Sequence, residues 1–290
     1  MTFRNCINEG INELEKAGVI ENRVDAWILF ENAFNIDRKE FLLCQNEIIP
    51  NEANVQRNNY YRSIELRKKR IPVQYIIGEQ EFMGIKFKVN ENVLIPRLDT
   101  EILVNEILND CQLERYNSKE LKVLDICTGS GCIGISLKLL GESLEVTCTD
   151  ISDKALDVAK ENIKNLGAEV NIIRGDLFEA CSGKIYDIIV SNPPYIKSLV
   201  IEGLEPEVKD NEPMLALDGM EDGLFFYKKI IAQAKNYMVD LGKIYFEIGH
   251  DQGKEVKNLL EAAGFVNIEI IRDMAGLDRV IKAIMKAVDN

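Results

Sequence analysis

From about residue 120 onward, short apolar runs of strand length alternate with stretches of helical periodicity, and this alternation constrains the fold more than any other feature of the chain. Strand-like runs at 122–126, 145–149, 170–173 and 185–190 are interleaved with helix-like stretches at 132–140 and 152–166. A helix around 224–238, a strand at 243–248, a helix around 253–263 and strands near 268–271 and 280–284 follow. Repeated β-α units predict an α/β fold with a mostly parallel sheet covered by helices. In such a sheet a ligand sits beyond the carboxyl ends of the strands, where strand order reverses, so the loops after these runs are the place to look for chemistry.

The first part of the chain has a different period. Ile7, Ile11, Leu14 and Gly18 are spaced three to four apart, and Val24, Trp27, Ile28 and Phe34 form a similar stripe, as in amphipathic helices packed on each other. A third short helix is expected after Asp37. Residues 51–70 read as a solvated helix with a basic end at Arg67, Lys68, Lys69 and Arg70, closed by Pro72. Tyr75-Ile76-Ile77 and Phe87-Lys88-Val89 look like strands of a hairpin, with Gly78 and Gly84 between them. The expected organisation is a helical part at 1–72, a hairpin linker at 73–92 and a larger domain at 93–290, in which Asp99 and Thr100 cap a helix carrying Ile102, Leu103, Val104 and Ile107.

Composition then excludes several kinds of chemistry. The 290 residues carry a net charge of -13. Residues 1–90 hold 13 Lys/Arg and 13 Asp/Glu, so the whole imbalance lies in 91–290. A pI near 4.8 works against non-specific binding to phosphate backbones, and no stable nucleic-acid partner is expected. With 46% hydrophobic and 29% charged residues, and without an apolar run of 18, nothing suggests a membrane span; Glu9, Glu13 and Glu15 interrupt any export signal, and the cytoplasm is expected. The seven cysteines are scattered without a C-x-x-C pair, which argues against a disulfide framework and a zinc site. One histidine, His250, is too few for a histidine-rich metal centre and makes a Ser-His-Asp triad a poor expectation.

The first β-α turn reads Asp125-Ile126-Cys127-Thr128-Gly129-Ser130-Gly131. Glycines there let a ligand approach the backbone, and the following helix offers unpaired N–H groups. The next strand ends at Asp150, whose carboxylate can accept both ribose hydroxyls of a nucleoside, and Asp176-Leu177 after the third strand can meet an adenine amino group and ring face. Gly129, Gly131 and Gly134 also match G-x-G-x-x-G, so a dehydrogenase and a methyltransferase both remain open at this point.

The fourth strand runs into Asn192-Pro193-Pro194-Tyr195. The prolines fix the backbone direction, so the Asn192 side chain and the Pro193 carbonyl can act as a rigid pair of acceptors for a planar NH2 group, on which Tyr195 can stack. A dehydrogenase has no use for this tetrapeptide there, and the methyltransferase reading leads.

The chain resembles a class I S-adenosylmethionine-dependent methyltransferase of the N-methylating kind, and specifically the HemK/PrmC family. Besides Asn192–Tyr195, the resemblance rests on Arg70-Ile-Pro72-Val-Gln-Tyr75-Ile-Ile-Gly78 with Glu81-Phe82, and on residues 94–101, which are similar to an I-P-R-P-x-T-E signature. Asn211-Glu212-Pro213, Ala216-Leu217, Asp222-Gly223-Leu224, Tyr227, Glu247-Ile248-Gly249 and Asp278-Arg279 recur in the family's order, so the likeness covers essentially the whole chain. Leu98 stands in place of the signature's second proline, and Cys127 where the family's loop starts with glycine; a positive φ there would strain Cys127 by about 1 kcal/mol or more.

The resemblance implies a Rossmann-like fold with a mostly parallel seven-stranded sheet and a small N-terminal helical domain joined by a β-hairpin. It implies methyl transfer from S-adenosylmethionine, leaving S-adenosylhomocysteine and needing no metal, to the glutamine side-chain amide in the GGQ motif of peptide-chain release factors, the proteins of translation termination. Cofactor contacts fall by resemblance on Cys127, Thr128, Gly129, Ser130, Gly131, Asp150, Asp176, Leu177 and Asn192. Substrate contacts fall on Asn192, Pro193, Pro194 and Tyr195, with Asn192, Pro193 and Tyr195 catalytic. An adenine-N6 methyltransferase on DNA or RNA, which also needs a conjugated NH2, is the rival enzyme; a catalytically silent interaction module that binds S-adenosylmethionine is a rival of another class.

Weaker candidates stay open. Asp125 either binds the cofactor's ammonium or caps the loop's N–H groups, Arg97 and Glu101 either shape the pocket wall or form a structural ion pair, and His250 reads as a surface residue. Residues 196–220 read as a long irregular loop, a lid or substrate segment. The cluster at 67–70 either docks a partner or is simply solvated.

Overall fold

The computed structural model describes residues 1–113 and 120–287. Contacts divide the chain into two units, Met1–Glu79 with Glu205–Asn211, and Gln80–Leu204 with Glu212–Asn290.

In the first unit, α1 (Phe3–Lys16), α2 (Asn22–Phe34), α3 (Arg38–Cys44) and α4 (Asn54–Lys68) bury an aromatic-rich core. The Thr2 hydroxyl caps α1, and Asp37 with Glu40 forms a capping box on α3, the helix expected there. Phe30 and Tyr60 meet edge to face at 5.7 Å. A Cβ on Gly10 would stand 1.9 Å from the Tyr60 hydroxyl, so glycine is what lets the ring lie against α1. Two details depart from the expected stripes. Gly18 lies beyond the end of α1 at φ +74° rather than on its face, and Val24 is exposed because α2 buries Ala26, Trp27, Leu29 and Phe30 instead.

The basic end of α4 is solvated only in part: Lys69 is exposed, while its neighbours are paired. Arg67 is buried, its Nε donating to Asp25 at 2.6 Å and its Nη2 to Glu207 at 2.7 Å. Arg70 donates to Glu207 at 2.9 Å and to the Gly18 carbonyl at 2.7 Å, and Lys68 pairs with Glu13 and Glu65. Carboxylates distant in sequence, Asp25 and Glu207, thus take up Arg67 and Arg70 of a charge run that looks free on a linear reading. Residues 75–77 are helical too, within α5 (Val73–Ile77): Pro72 starts a turn in which Val73, Ile76 and Ile77, at helical spacing, face the core, and Gly78 ends it at φ +83°. The hairpin lies further on, β1 (Glu79–Phe82) and β2 (Ile85–Lys88) joined through Met83 and Gly84, both at positive φ as a tight hairpin turn requires.

In the second unit, α6 (Thr100–Leu113), β3 (Leu121–Ile126), α7 (Cys132–Leu140), β4 (Leu144–Asp150), α8 (Asp153–Leu166), β5 (Val170–Arg174) and β6 (Tyr186–Ser191) follow in turn. Three short helices, α9 (Ser198–Ile201), α10 (Pro206–Lys209, which belongs to the first unit) and α11 (Met214–Leu217), precede α12 (Phe225–Ala234), β7 (Met238–Glu247), α13 (Gly253–Ala262), β8 (Phe265–Arg272) and β9 (Asp278–Met285). The seven-stranded sheet has the order β5-β4-β3-β6-β7-β9-β8, parallel except for β9, which runs antiparallel to both β7 and β8. Alternate residues feed two cores: Leu124, Ile126 and Ile189 belong to one, Val123, Ile188 and Val190 to the other, as in a sheet buried on both faces.

Two boundaries differ from expectation. The helix near 224–238 stops at Ala234 and β7 begins at Met238, because Met238 already pairs with Tyr186 of β6. The segment 196–220 is not irregular: Pro206 and Pro213 start helical turns, and Ile196 bridges Asp218, closing the excursion at its base. No helix among the described residues is long and apolar enough to cross a membrane.

Candidate active site

Strand order turns outward from β3 to β4 and β5, then returns to β6 on the other side of β3. The loops leaving β3 and β6 therefore stand side by side, with Ile126 in register with Ser191 and the Ser191 hydroxyl donating to the Ile126 carbonyl at 2.6 Å. A cavity of about 510 Å³ opens there, within the range of small-molecule sites. Its wall includes Cys127, Thr128, Gly129 and Ser130 from the glycine loop, Asp150 from the end of β4, Asp176 and Leu177 after β5, and Asn192 and Pro194 after β6. Gly131, Pro193 and Tyr195 are adjacent in sequence but are not part of that wall. Pro213, Leu215 and Ala216 join it from the segment read as a lid or substrate segment, and Phe225, Phe226 and Lys229 without having been expected there.

The loop takes its shape from backbone geometry. Cys127, Gly129 and Gly131 have φ of +62°, +56° and +83°. Cys127 thus occupies the left-handed region that favours glycine, and Leu177 at +52° is a second non-glycine residue so placed on the cavity. Relieving the strain with Cys127→Gly is expected to stabilise the fold by about 0.5–1 kcal/mol, after allowance for the greater unfolded-state freedom of glycine. Thermal unfolding checks this; a lower melting temperature would mean that the thiol's packing outweighs the strain.

Asp150 receives the Gly129 N–H at 2.9 Å on one oxygen and the Ser152 N–H at 2.9 Å on the other. Each oxygen keeps a lone pair for a further donor, and burial raises the carboxyl above its usual range. Asp125 is fully buried and caps the loop. Its Oδ2 accepts from the Thr128 hydroxyl at 2.5 Å and the Gly134 N–H at 3.1 Å, while Oδ1 takes no hydrogen bond from any described residue. These bonds tie the loop, through Thr128, to the first turn of α7, through Gly134.

Burial pushes the Asp125 carboxyl up to about 7, against the hydrogen bonds from Thr128 and Gly134. Between about pH 4 and pH 7 the unfolded chain has released this proton and the folded chain has not, so the group costs stability as pH rises and the cost levels off above 7. Asp125→Asn, which keeps an acceptor for Thr128 and Gly134, is expected to unfold at higher urea than the parent at pH 7.5, by up to about 4 kcal/mol, and to lose most of that advantage at pH 4.5. A difference independent of pH would overturn this.

Around Asn192 a polar chain leads inward. The Asn192 Nδ2 donates to Thr100 Oγ1 at 3.4 Å, and Thr100 donates to Glu247 Oε2 at 2.5 Å. Tyr195 donates to Glu247 Oε1 at 3.2 Å, so its hydroxyl is anchored beneath the loop. The Gln252 amide donates to the carbonyls of Tyr195 at 3.0 Å and Gly223 at 3.1 Å. A Cβ on Gly219 or Gly223 would stand 2.7 or 2.5 Å from Tyr195 backbone atoms, so the tetrapeptide is seated against backbone that admits no side chain. Arg97 lies on the cavity wall and pairs with Glu212, whereas Glu101 accepts the Met83 N–H at 2.6 Å; the expected Arg97–Glu101 pair does not form because each has a partner from another element. His250 is exposed, as expected.

The donor set suits the expected cofactor. Gly129 leaves open space where a side chain would project, and Asp150 and Asp176 supply acceptors on the same wall as the apolar Leu177.

Comparison with known proteins agrees. Residues 98–204 match the methyltransferase small domain and residues 5–78 the PrmC N-terminal domain. Over 287 residues the chain is 41% identical to a release factor glutamine methyltransferase of Clostridium botulinum, covering 98% of this chain and 99% of that protein. It is 44% identical over 264 residues to one of Clostridium acetobutylicum, covering 90% of each. A crystal structure of a methyltransferase from Pyrococcus furiosus superposes with a TM-score of 0.55 at 17% identity, over 77% of this chain and all of that one, which supports the class I S-adenosylmethionine-dependent methyltransferase fold. Similarity at this level along nearly the whole length, on a sheet whose switch point carries the glycine loop and Asn192, places the chain in the release factor glutamine methyltransferase family.

Proposed function

We propose that this protein transfers the methyl group of S-adenosylmethionine to the side-chain amide nitrogen of the glutamine in the GGQ motif of peptide-chain release factors. The observation that carries the reading is the identity of 41% to a release factor glutamine methyltransferase across 98% of the chain. The position of Asn192 on the cavity, beside the glycine loop, supports it.

When bound, S-adenosylmethionine supplies an electrophilic methyl on a sulfonium, which leaves as the neutral thioether of S-adenosylhomocysteine. The chain's own residues bind, align and exclude water. Asp150 and Asp176 are assigned to hydroxyl and amino donors of the cofactor, Leu177 to an apolar face, and residues 127–131 to close backbone contact. Asn192 Oδ1, on the cavity wall, accepts one amide hydrogen of the substrate, and the Pro193 carbonyl, assigned from the family resemblance, accepts the other, which aims the nitrogen at the methyl carbon. They also stabilise the positive charge that develops as the N–C bond forms and the C–S bond breaks. The surplus proton leaves to water once the nitrogen is methylated. Because the methyl is already activated, this scheme calls for neither a metal nor a titrating base.

We assign the helical part at 1–72 to docking the protein substrate, since Leu42, Leu43, Ile48 and Val55 stand exposed outside its core. The working compartment is the cytoplasm, and no stable nucleic-acid partner is expected. Incubation with methyl-labelled S-adenosylmethionine and, in parallel, a release factor, its GGQ Gln→Ala variant and adenine-containing DNA tests the reading. Label on the intact factor alone is expected; label on the Ala variant, or only on DNA, would overturn it.

A further inference from the structure

Thr100 starts α6 and is 2% exposed, yet it lines the cavity and stands between Asn192 and the buried Glu247. A threonine hydroxyl has one hydrogen to give and two lone pairs. Here the hydrogen goes to Glu247 Oε2 at 2.5 Å, so toward Asn192 Thr100 can only accept, and it takes the Nδ2 hydrogen at 3.4 Å. A carboxamide has two faces of opposite character. With its nitrogen directed to Thr100, the acceptor oxygen is the end available to a substrate NH2; turned over, Asn192 would offer a donor to a donor.

Glu247 fixes this polarity. It is 2% exposed, and each of its oxygens accepts from one hydroxyl, Thr100 on one side and Tyr195 on the other. Burial raises its carboxyl above the usual range, opposed by the Thr100 hydrogen bond and by the charge of Arg279, both of which favour the ionised, acceptor-only form. A single carboxylate thereby orders both functional ends of Asn192–Tyr195.

We infer that Thr100, held by Glu247, is a positioning residue that sets the amide orientation of Asn192 and so makes the site an acceptor for a conjugated NH2 group. The inference deepens the proposed function and rests on it. It predicts that Thr100→Val, nearly isosteric but without a hydroxyl, lowers kcat on the release factor by about 10- to 100-fold, the scale of a misaligned reacting group. Cofactor Kd by calorimetry should change little, the melting temperature should fall because the buried Glu247 Oε2 loses its hydrogen bond, and Thr100→Ser should recover most of both losses. If Thr100 acts only through Asn192, Thr100→Val should cost no more than about twofold when added to Asn192→Ala, the signature of coupled residues.

Turnover by Thr100→Val within twofold of the parent, an additive loss in the Asn192→Ala background, or equal impairment of Thr100→Ser would each overturn the inference. Should Thr100→Val fail to fold, the parent protein still decides. With asparagine labelled in its side-chain nitrogen, the Asn192 NH2 resonances, assigned by their loss in Asn192→Ala, should show a nuclear Overhauser contact to the Thr100 methyl, and absence of that contact would overturn the orientation. A parent enzyme that leaves the release factor unlabelled marks failure of the functional reading; a labelled factor with unimpaired Thr100→Val marks failure of the inference alone.

Discussion

Asn192→Ala is expected to reduce single-turnover methyl transfer by about 10²- to 10³-fold, the scale seen when one preorganised polar group is removed from a developing charge. The alanine removes one of two acceptors, so the substrate amide loses both its aim and the partial negative charge facing the nitrogen as it becomes cationic. Cofactor affinity should fall much less, because the glycine loop, Asp150, Asp176 and Leu177 occupy other parts of the cavity wall. Binding measured by calorimetry beside the transfer rate separates the two effects. Equal losses would make Asn192 chiefly a cofactor ligand and would remove the reason for treating it as the catalytic acceptor. Because Asn192 Nδ2 also satisfies Thr100, a small loss of stability is expected in addition, and the melting temperature sets its share.

The parts of this candidate site that could be read from the sequence are those in which one local segment holds the residues proposed for the chemistry. Residues 127–131 and 192–195 are contiguous, and the alternation of strands and helices is enough to bring β3 and β6 together at a switch point. What escaped depends on partners distant in sequence. Thr100 reads as a helix cap, and nothing near it points to Glu247, 147 residues away. A signal was present in Glu247 itself, a carboxylate ending the apolar run Ile244-Tyr245-Phe246, since a buried acid needs partners to justify its desolvation. Gln252 gave no such signal, because its role is to hold the carbonyls of Tyr195 and Gly223, and backbone acceptors leave no trace in side-chain identity. The same limit explains the errors outside the site. Residues 75–77 are β-branched and aromatic, but packing on the helical core through Val73, Ile76 and Ile77 overrode their strand propensity.

The largest expected effect on stability lies in the helical unit, where Arg67→Met should cost about 3–5 kcal/mol, the range for breaking a buried ion pair from one side. The Arg67 and Asp25 side chains are 7% and 5% exposed, and Glu207 is 18% exposed, so the methionine would leave Asp25 without its cation in a poorly hydrated place and Glu207 with Arg70 alone. The two acids differ in how they respond. Burial already holds the Asp25 carboxyl above its usual range despite the Arg67 hydrogen bond, so without Arg67 it can escape by taking a proton. The Glu207 carboxyl is held below its usual range: burial acts to raise it, but hydrogen bonds and charge from Arg67, with a hydrogen bond from Arg70, outweigh that. Glu207 therefore contributes stability above the unfolded carboxyl range, near pH 4.3, and loses it as pH falls through its lower folded value, so the gap between parent and Arg67→Met should narrow below about pH 4. Adding Asp25→Leu to Arg67→Met should recover much of the loss, because an apolar pair avoids the desolvation that a lone carboxylate suffers. Trp27, the single tryptophan of the chain, lies on the same helix as Asp25, so its fluorescence during urea unfolding follows this unit. A double variant as unstable as Arg67→Met would show that Arg67 stabilises the unit through Glu207 and the packing of its stem and not by neutralising Asp25.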